Sequence, residues 1–114
     1  MITIEKLNAF GANAAEGLAR CFGNESLYLK LVATIPGDSV FEKLRQKLDL
    51  KDLDGAFEAA HALKGVLGNL SLTPLYEPTV EITELLRKRS DVDYSVMLAK
   101  VLEKKEELGR LCAE

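Results

Sequence analysis

The 114-residue chain has one histidine, His61. Lys64 follows three residues later, Gly65 is next to it, and Gly68 comes after two more apolar residues. An imidazole can carry a phosphoryl group on a ring nitrogen, and a nearby ammonium offsets charge on the phosphate oxygens. Whether these groups meet depends on the element that carries them. Asp52 is a good N-cap for a helix over about 53–70, which can be projected at about 100° per residue. With Leu63 at zero, Ala56, Ala59, Leu67 and Leu70 fall within about 40°, and Ala60 and Val66 at about 60° on either side. That is the apolar stripe. His61 falls at about 160°, Gly65 near 200°, Gly68 near 140°, Phe57 near 120° and Lys64 near 100°. The imidazole therefore stands on the outward face, between two glycines and with an ammonium on the rim. Each glycine costs roughly 0.5–1 kcal/mol relative to Ala inside a helix. Off the apolar stripe, they read as clearance for a partner approaching His61.

The rest of the chain reads as further helices. Polar–apolar alternation is not sustained anywhere, so strands are not expected. A first helix over about 3–10 stops at Gly11. Asn13 with Glu16 forms a capping box for a second, and Gly23 suits its left-handed exit. Asn24 caps a third, with Leu27, Leu31, Val32 and Ile35 as its stripe, ended by Pro36-Gly37. Ser39 with Glu42 predicts another capping box, before the stripe Val40, Phe41, Leu44 and Leu48. Thr73-Pro74 opens a helix to about residue 89, in which Pro78 is a tolerated distortion. Ser90 with Asp93 predicts a third capping box, for a last helix to about residue 111. Phe22, Phe41 and Tyr94 are expected in the core. The fold class is all-α: one domain, an antiparallel four-helix bundle over about 37–112, with additional short N-terminal helices.

Composition narrows the function. Lys plus Arg total 15 against 18 Asp plus Glu, a net charge of −3 that offers no general attraction to nucleic acid or anionic membrane. No apolar run is long enough to span a bilayer, and Glu5 and Lys6 interrupt the stretch where a signal peptide needs an apolar core. Cys21 and Cys112 lie far apart outside any CxxC pattern and read as free thiols of a reducing cytoplasm. A lone histidine argues against His-based zinc sites, and no metal ligand set is expected. Neither a phosphate-binding GxxxxGK[ST] loop nor a kinase glycine loop occurs, so ATP chemistry is not expected.

The stretch Ala60-His61-Ala62-Leu63-Lys64-Gly65, followed by Gly68-Asn69-Leu70, resembles the histidine-containing phosphotransfer (HPt) domain of two-component phosphorelays. It matches the motif His-x-Leu-Lys-Gly in full. Glu16 to Arg20 and Asn24 to Leu29 look like that family's lead-in helices, so the resemblance extends along the chain. It implies that His61 is the phosphoacceptor, that Lys64 stabilises the phosphoryl group, and that Gly65 clears space for a docking receiver domain. Gly68 and Phe57 fall on the same docking face, and Arg87, a second candidate for stabilising the phosphoryl group, corresponds to a basic position that often faces the histidine. The chain departs from the family at two places. Ser71 stands where glycine usually follows Asn69-Leu70, and Thr83 stands where a Gln or Glu often binds the imidazole, leaving Thr83 or Glu84 to orient the ring.

The reading is a phosphocarrier without kinase activity. It would be a cytoplasmic monomer whose partners are response-regulator receiver domains and a hybrid sensor kinase. No cofactor of its own is expected, and Mg²⁺ would belong to the receiver. Met1 favours a freestanding protein over a domain of a hybrid kinase. A non-catalytic helical interaction module would not need His61 and Lys64 beside Gly65. An enzyme using His61 as a general base would need a second titratable group in a pocket, and only Glu58 lies on the neighbouring ridge.

Overall fold

The computed structural model describes residues 1–114 and contains seven α-helices and no strand. They are α1 (Ile4–Phe10), α2 (Ala14–Arg20), α3 (Glu25–Thr34), α4 (Val40–Asp49), α5 (Leu53–Asn69), α6 (Thr73–Arg87) and α7 (Ser95–Ala113), with a 3₁₀ turn at Ile35–Gly37. The last four form a bundle in which α5 packs between α4 and α6, and α6 packs on α7. The side of α5 that faces the core carries Ala56, Ala59 and Ala60, all buried, so neighbouring backbones can approach closely. Leu63 and Leu67 complete that stripe, while Val66 is left 39% exposed at its edge.

Local signals set most helix starts. Thr3, Asn13, Asn24 and Asp52 each accept a hydrogen bond from the backbone N–H three residues on. The Asn13 amide also donates to Glu16 Oε2 at 3.1 Å, closing the expected pair. Two expected capping boxes are replaced by other caps. Ser39 sits in the right-handed helical region and makes no cap, because its side chain no longer faces the free N–H groups. Asp38, which is extended, accepts from the Val40 N–H at 2.9 Å instead, and Glu42 pairs with Arg45. Likewise the Ser90 N–H closes α6 by donating to the Leu85 carbonyl, so α7 starts later, with Asp93 accepting from the Ser95 N–H at 2.9 Å. Pro78 lies within α6 without ending it.

Five helices end with a left-handed residue, followed by an N–H that reaches back five positions. At α1 this residue is Gly11, but at α2, α4, α5 and α6 it is Phe22, Lys51, Ser71 and Arg89. Phe22 thereby points out of the turn and is 96% exposed, contrary to the expected core position. Ser71 carries a second penalty: it is buried and its hydroxyl has no partner. A left-handed non-glycine residue costs about 1–2 kcal/mol, and an unpaired buried hydroxyl about 1–3 kcal/mol. Glycine returns roughly 0.5–1 kcal/mol to the unfolded chain as entropy. Ser71→Gly is therefore expected to stabilise the domain by about 1 kcal/mol or more, read as a higher thermal midpoint. An unchanged or lower midpoint would show that Ser71 is already compensated.

The N-terminal helices attach where α5 ends. The Tyr28 hydroxyl donates to the Leu70 carbonyl at 2.9 Å, and the Asn13 N–H donates to the Ser71 carbonyl at 3.0 Å. These bonds satisfy carbonyls that a helix C-terminus leaves free. Burial pushes the Tyr28 hydroxyl up to about 12, with the nearby Cys21 adding to the shift. Gly17 makes the fit possible, since a Cβ there would lie 2.5 Å from the Tyr28 ring. Tyr28, Val32 and Ile35 are consequently the buried ridge of this segment. Leu27 and Leu31, expected in its stripe, are about 40% exposed.

Candidate functional site

His61 lies near the middle of α5, on its solvent side. Gly65, one turn on, is exposed, and a Cβ built there meets nothing within 4 Å. Lys64 is half-buried on the flank, and no carboxylate lies within ion-pair distance of it. One helix thus presents a nucleophilic ring, an unpaired cation and an open patch on adjoining positions. An incoming anionic group would meet no competing carboxylate at Lys64.

Gly68 differs from Gly65. It is half-buried, and a Cβ there would lie 2.9 Å from the Tyr76 ring on α6. This glycine lets Tyr76 cover the helix; it does not leave the surface bare as the helical projection implied. Lys64, Gly65 and Gly68 also border a groove of about 520 Å³, lined on its far side by Glu16 and Arg20 of α2 and by Tyr76 and Glu77 of α6. Glu16 and Arg20 are paired across that edge at 3.1 Å. The contribution of α2 was missed from sequence, because it depends on how Tyr28 docks the N-terminal helices onto the end of α5.

The residues expected on α6 lie as follows. Thr83 is buried and its hydroxyl donates to the Thr79 carbonyl at 2.7 Å, so it turns into its own helix and away from the imidazole. Glu84 lies 3.5 Å from Arg87. No protein group hydrogen-bonds the His61 ring. The neighbour of His61 is Phe57, with ring centroids 5.7 Å apart and planes inclined at 37°. The Arg87 guanidinium lies over the same Phe57 ring, 5.1 Å from its centroid. Arg89 is held elsewhere, in an ion pair with Asp54.

The site is thus an exposed histidine on the second helix of a four-helix bundle, beside an unpaired lysine and an unobstructed glycine. The model of the Hpt domain family matches residues 37–114, and the chain belongs to that family. Helices α1–α3, which the sequence resemblance took in as lead-in helices, lie outside the match. No curated protein and no solved structure shows significant similarity to the chain. No helix is long and apolar enough to cross a membrane.

Proposed function

We propose that this domain is a phosphorelay carrier in which His61 takes a phosphoryl group from the aspartyl phosphate of a receiver domain and passes it to an aspartate of another. The observation that carries this reading is His61 on the solvent face of α5, with open space at Gly65 and the unpaired Lys64 ammonium alongside. An unprotonated ring nitrogen attacks phosphorus. The N–P bond forms as the bond from phosphorus to the carboxyl oxygen breaks, and the aspartate leaves as a carboxylate. In the second transfer a carboxylate attacks and the imidazole leaves, so the carrier is regenerated. Transfer is reversible because both phosphorylated forms are high in energy. Lys64 offsets charge on the equatorial oxygens in both directions. Mg²⁺ belongs, in this reading, to the receiver's carboxylates, and the domain is a cytoplasmic substrate and carrier, not a kinase.

The test is incubation with a phosphorylated receiver, followed by a search for acid-labile, base-stable phosphate on His61. Its presence supports the reading, and its absence with several competent receivers overturns it. Lys64→Ala is expected to retain acceptance but slow transfer about tenfold at low salt, the equivalent of losing one charge-assisted contact of about 1.4 kcal/mol. Rates equal to those of the parent would remove Lys64 from the transfer chemistry.

A further inference from the structure

The His61 ring lacks a protein hydrogen bond, yet it is not without a neighbour. A helical side chain leans back over the residue four positions earlier, which here is Phe57. The two rings meet with centroids 5.7 Å apart at a 37° tilt, within the range of aromatic contact. Phe57 is itself seated. The Arg87 guanidinium carbon lies 5.1 Å from its centroid, within cation–π distance, and Arg87 is further held by Glu84 at 3.5 Å. Arg87 is the last residue of α6, so this chain of contacts fastens the imidazole of α5 to the neighbouring helix.

We propose that Phe57, seated against Arg87, is a positioning residue that fixes the orientation of the His61 imidazole for phosphoryl transfer. The proposal rests on the carrier reading above. An exposed histidine on a helix has two accessible χ1 wells and a broad χ2. Only some of those orientations direct a ring nitrogen along the axis of the phosphorus–oxygen bond, at the separation of about 3–3.5 Å that in-line attack requires. The transfer rate scales with the population of those orientations. Thr83 is turned into its own helix and Glu84 is paired with Arg87, so neither supplies a polar restraint. The aromatic contact supplies an apolar one. It also leaves the attacking ring nitrogen free of protein partners.

The experiment uses the full chain and a receiver phosphorylated by acetyl phosphate, with Phe57→Ala, Phe57→Leu, Phe57→Tyr and Arg87→Gln. Transfer is followed over a series of receiver concentrations, and His61 ring-proton resonances are recorded in the free protein. Phe57→Ala is expected to lower the saturating transfer rate about three- to tenfold, as orientations are no longer selected, with half-saturation within twofold of the parent. Phe57→Tyr restores the rate. In Phe57→Leu, which keeps apolar volume if the Ala variant does not fold, the His61 resonances lose the shielding of the neighbouring ring. Arg87→Gln reproduces a smaller version of the rate loss. An unchanged saturating rate with weakened half-saturation would assign Phe57 to docking and overturn the proposal, as would His61 resonances indifferent to Phe57→Leu. A parent that takes no phosphate defeats the carrier reading itself. A parent that is phosphorylated alongside Phe57 variants of equal rate defeats the positioning role alone.

Discussion

His61→Gln is expected to leave the bundle folded and to abolish phosphate acceptance. The stability half of this expectation follows from position. His61 is exposed, it makes no hydrogen bond to the protein, and its contact with Phe57 lies on the surface of α5. Gln is at least as good a helix former as His, so the change in folding free energy stays within about 0.5 kcal/mol. The chemical half follows from the amide. Its nitrogen is not nucleophilic, and no second histidine exists to substitute for it. The loss is therefore expected to be complete. Thermal melting and phosphate incorporation from a phosphorylated receiver check the two halves separately. Phosphate retained by the variant would place the acceptor elsewhere, and a sharp drop in midpoint would mean that the imidazole supports the core.

What could be read from the sequence, and what could not, divides along the range of the interactions. The outward position of His61 and Gly65 depends on the period of one helix, and Asp52 marks where that helix begins. The caps at Thr3, Asn13 and Asn24 are equally local. Ser39 and Ser90 look like the same signal but lose to backbone conformation. Ser39 is already helical, and Ser90 is taken up in closing the preceding helix. Gly68 and Thr83 needed knowledge of a second helix or a side-chain rotamer. Nothing in the α5 pattern says that Tyr76 of α6 covers Gly68, or that the Thr83 hydroxyl bonds back to Thr79. Phe22 and Tyr28 are both aromatic and six residues apart. The gap left by Gly17 on another helix admits Tyr28, while a left-handed backbone turns Phe22 outward. The contact of Arg87 with Phe57 is of the same kind, a relation between helices that no single period contains.

Gly65→Leu is expected to make the free domain more stable and to block phosphoryl transfer. Gly65 is helical with no positive φ, so a side chain meets no backbone strain. Its Cβ would enter open space, so no neighbour has to move. The helix then recovers roughly 0.5–1 kcal/mol that glycine forgoes in an interior position, which raises the midpoint by several degrees in a domain of this size. Gly68→Ala is the contrasting control. Its Cβ would stand 2.9 Å from the Tyr76 ring, so part of the same gain is spent in displacing that ring, and the midpoint rises less or falls. For transfer, the same open space at Gly65 works in the opposite direction. A leucine there projects from the face on which His61 stands, one turn along, where a partner surface has to settle. Attack needs nitrogen and phosphorus at about 3–3.5 Å, and an isobutyl group between the two surfaces holds them farther apart. The loss should exceed a hundredfold in rate, while Gly65→Ala, which adds a single methyl, is affected much less. Melting curves and transfer rates on the same samples decide the matter. A Leu variant that melts lower and still transfers normally would mean that Gly65 serves packing inside the bundle and that the receiver approaches His61 from another side.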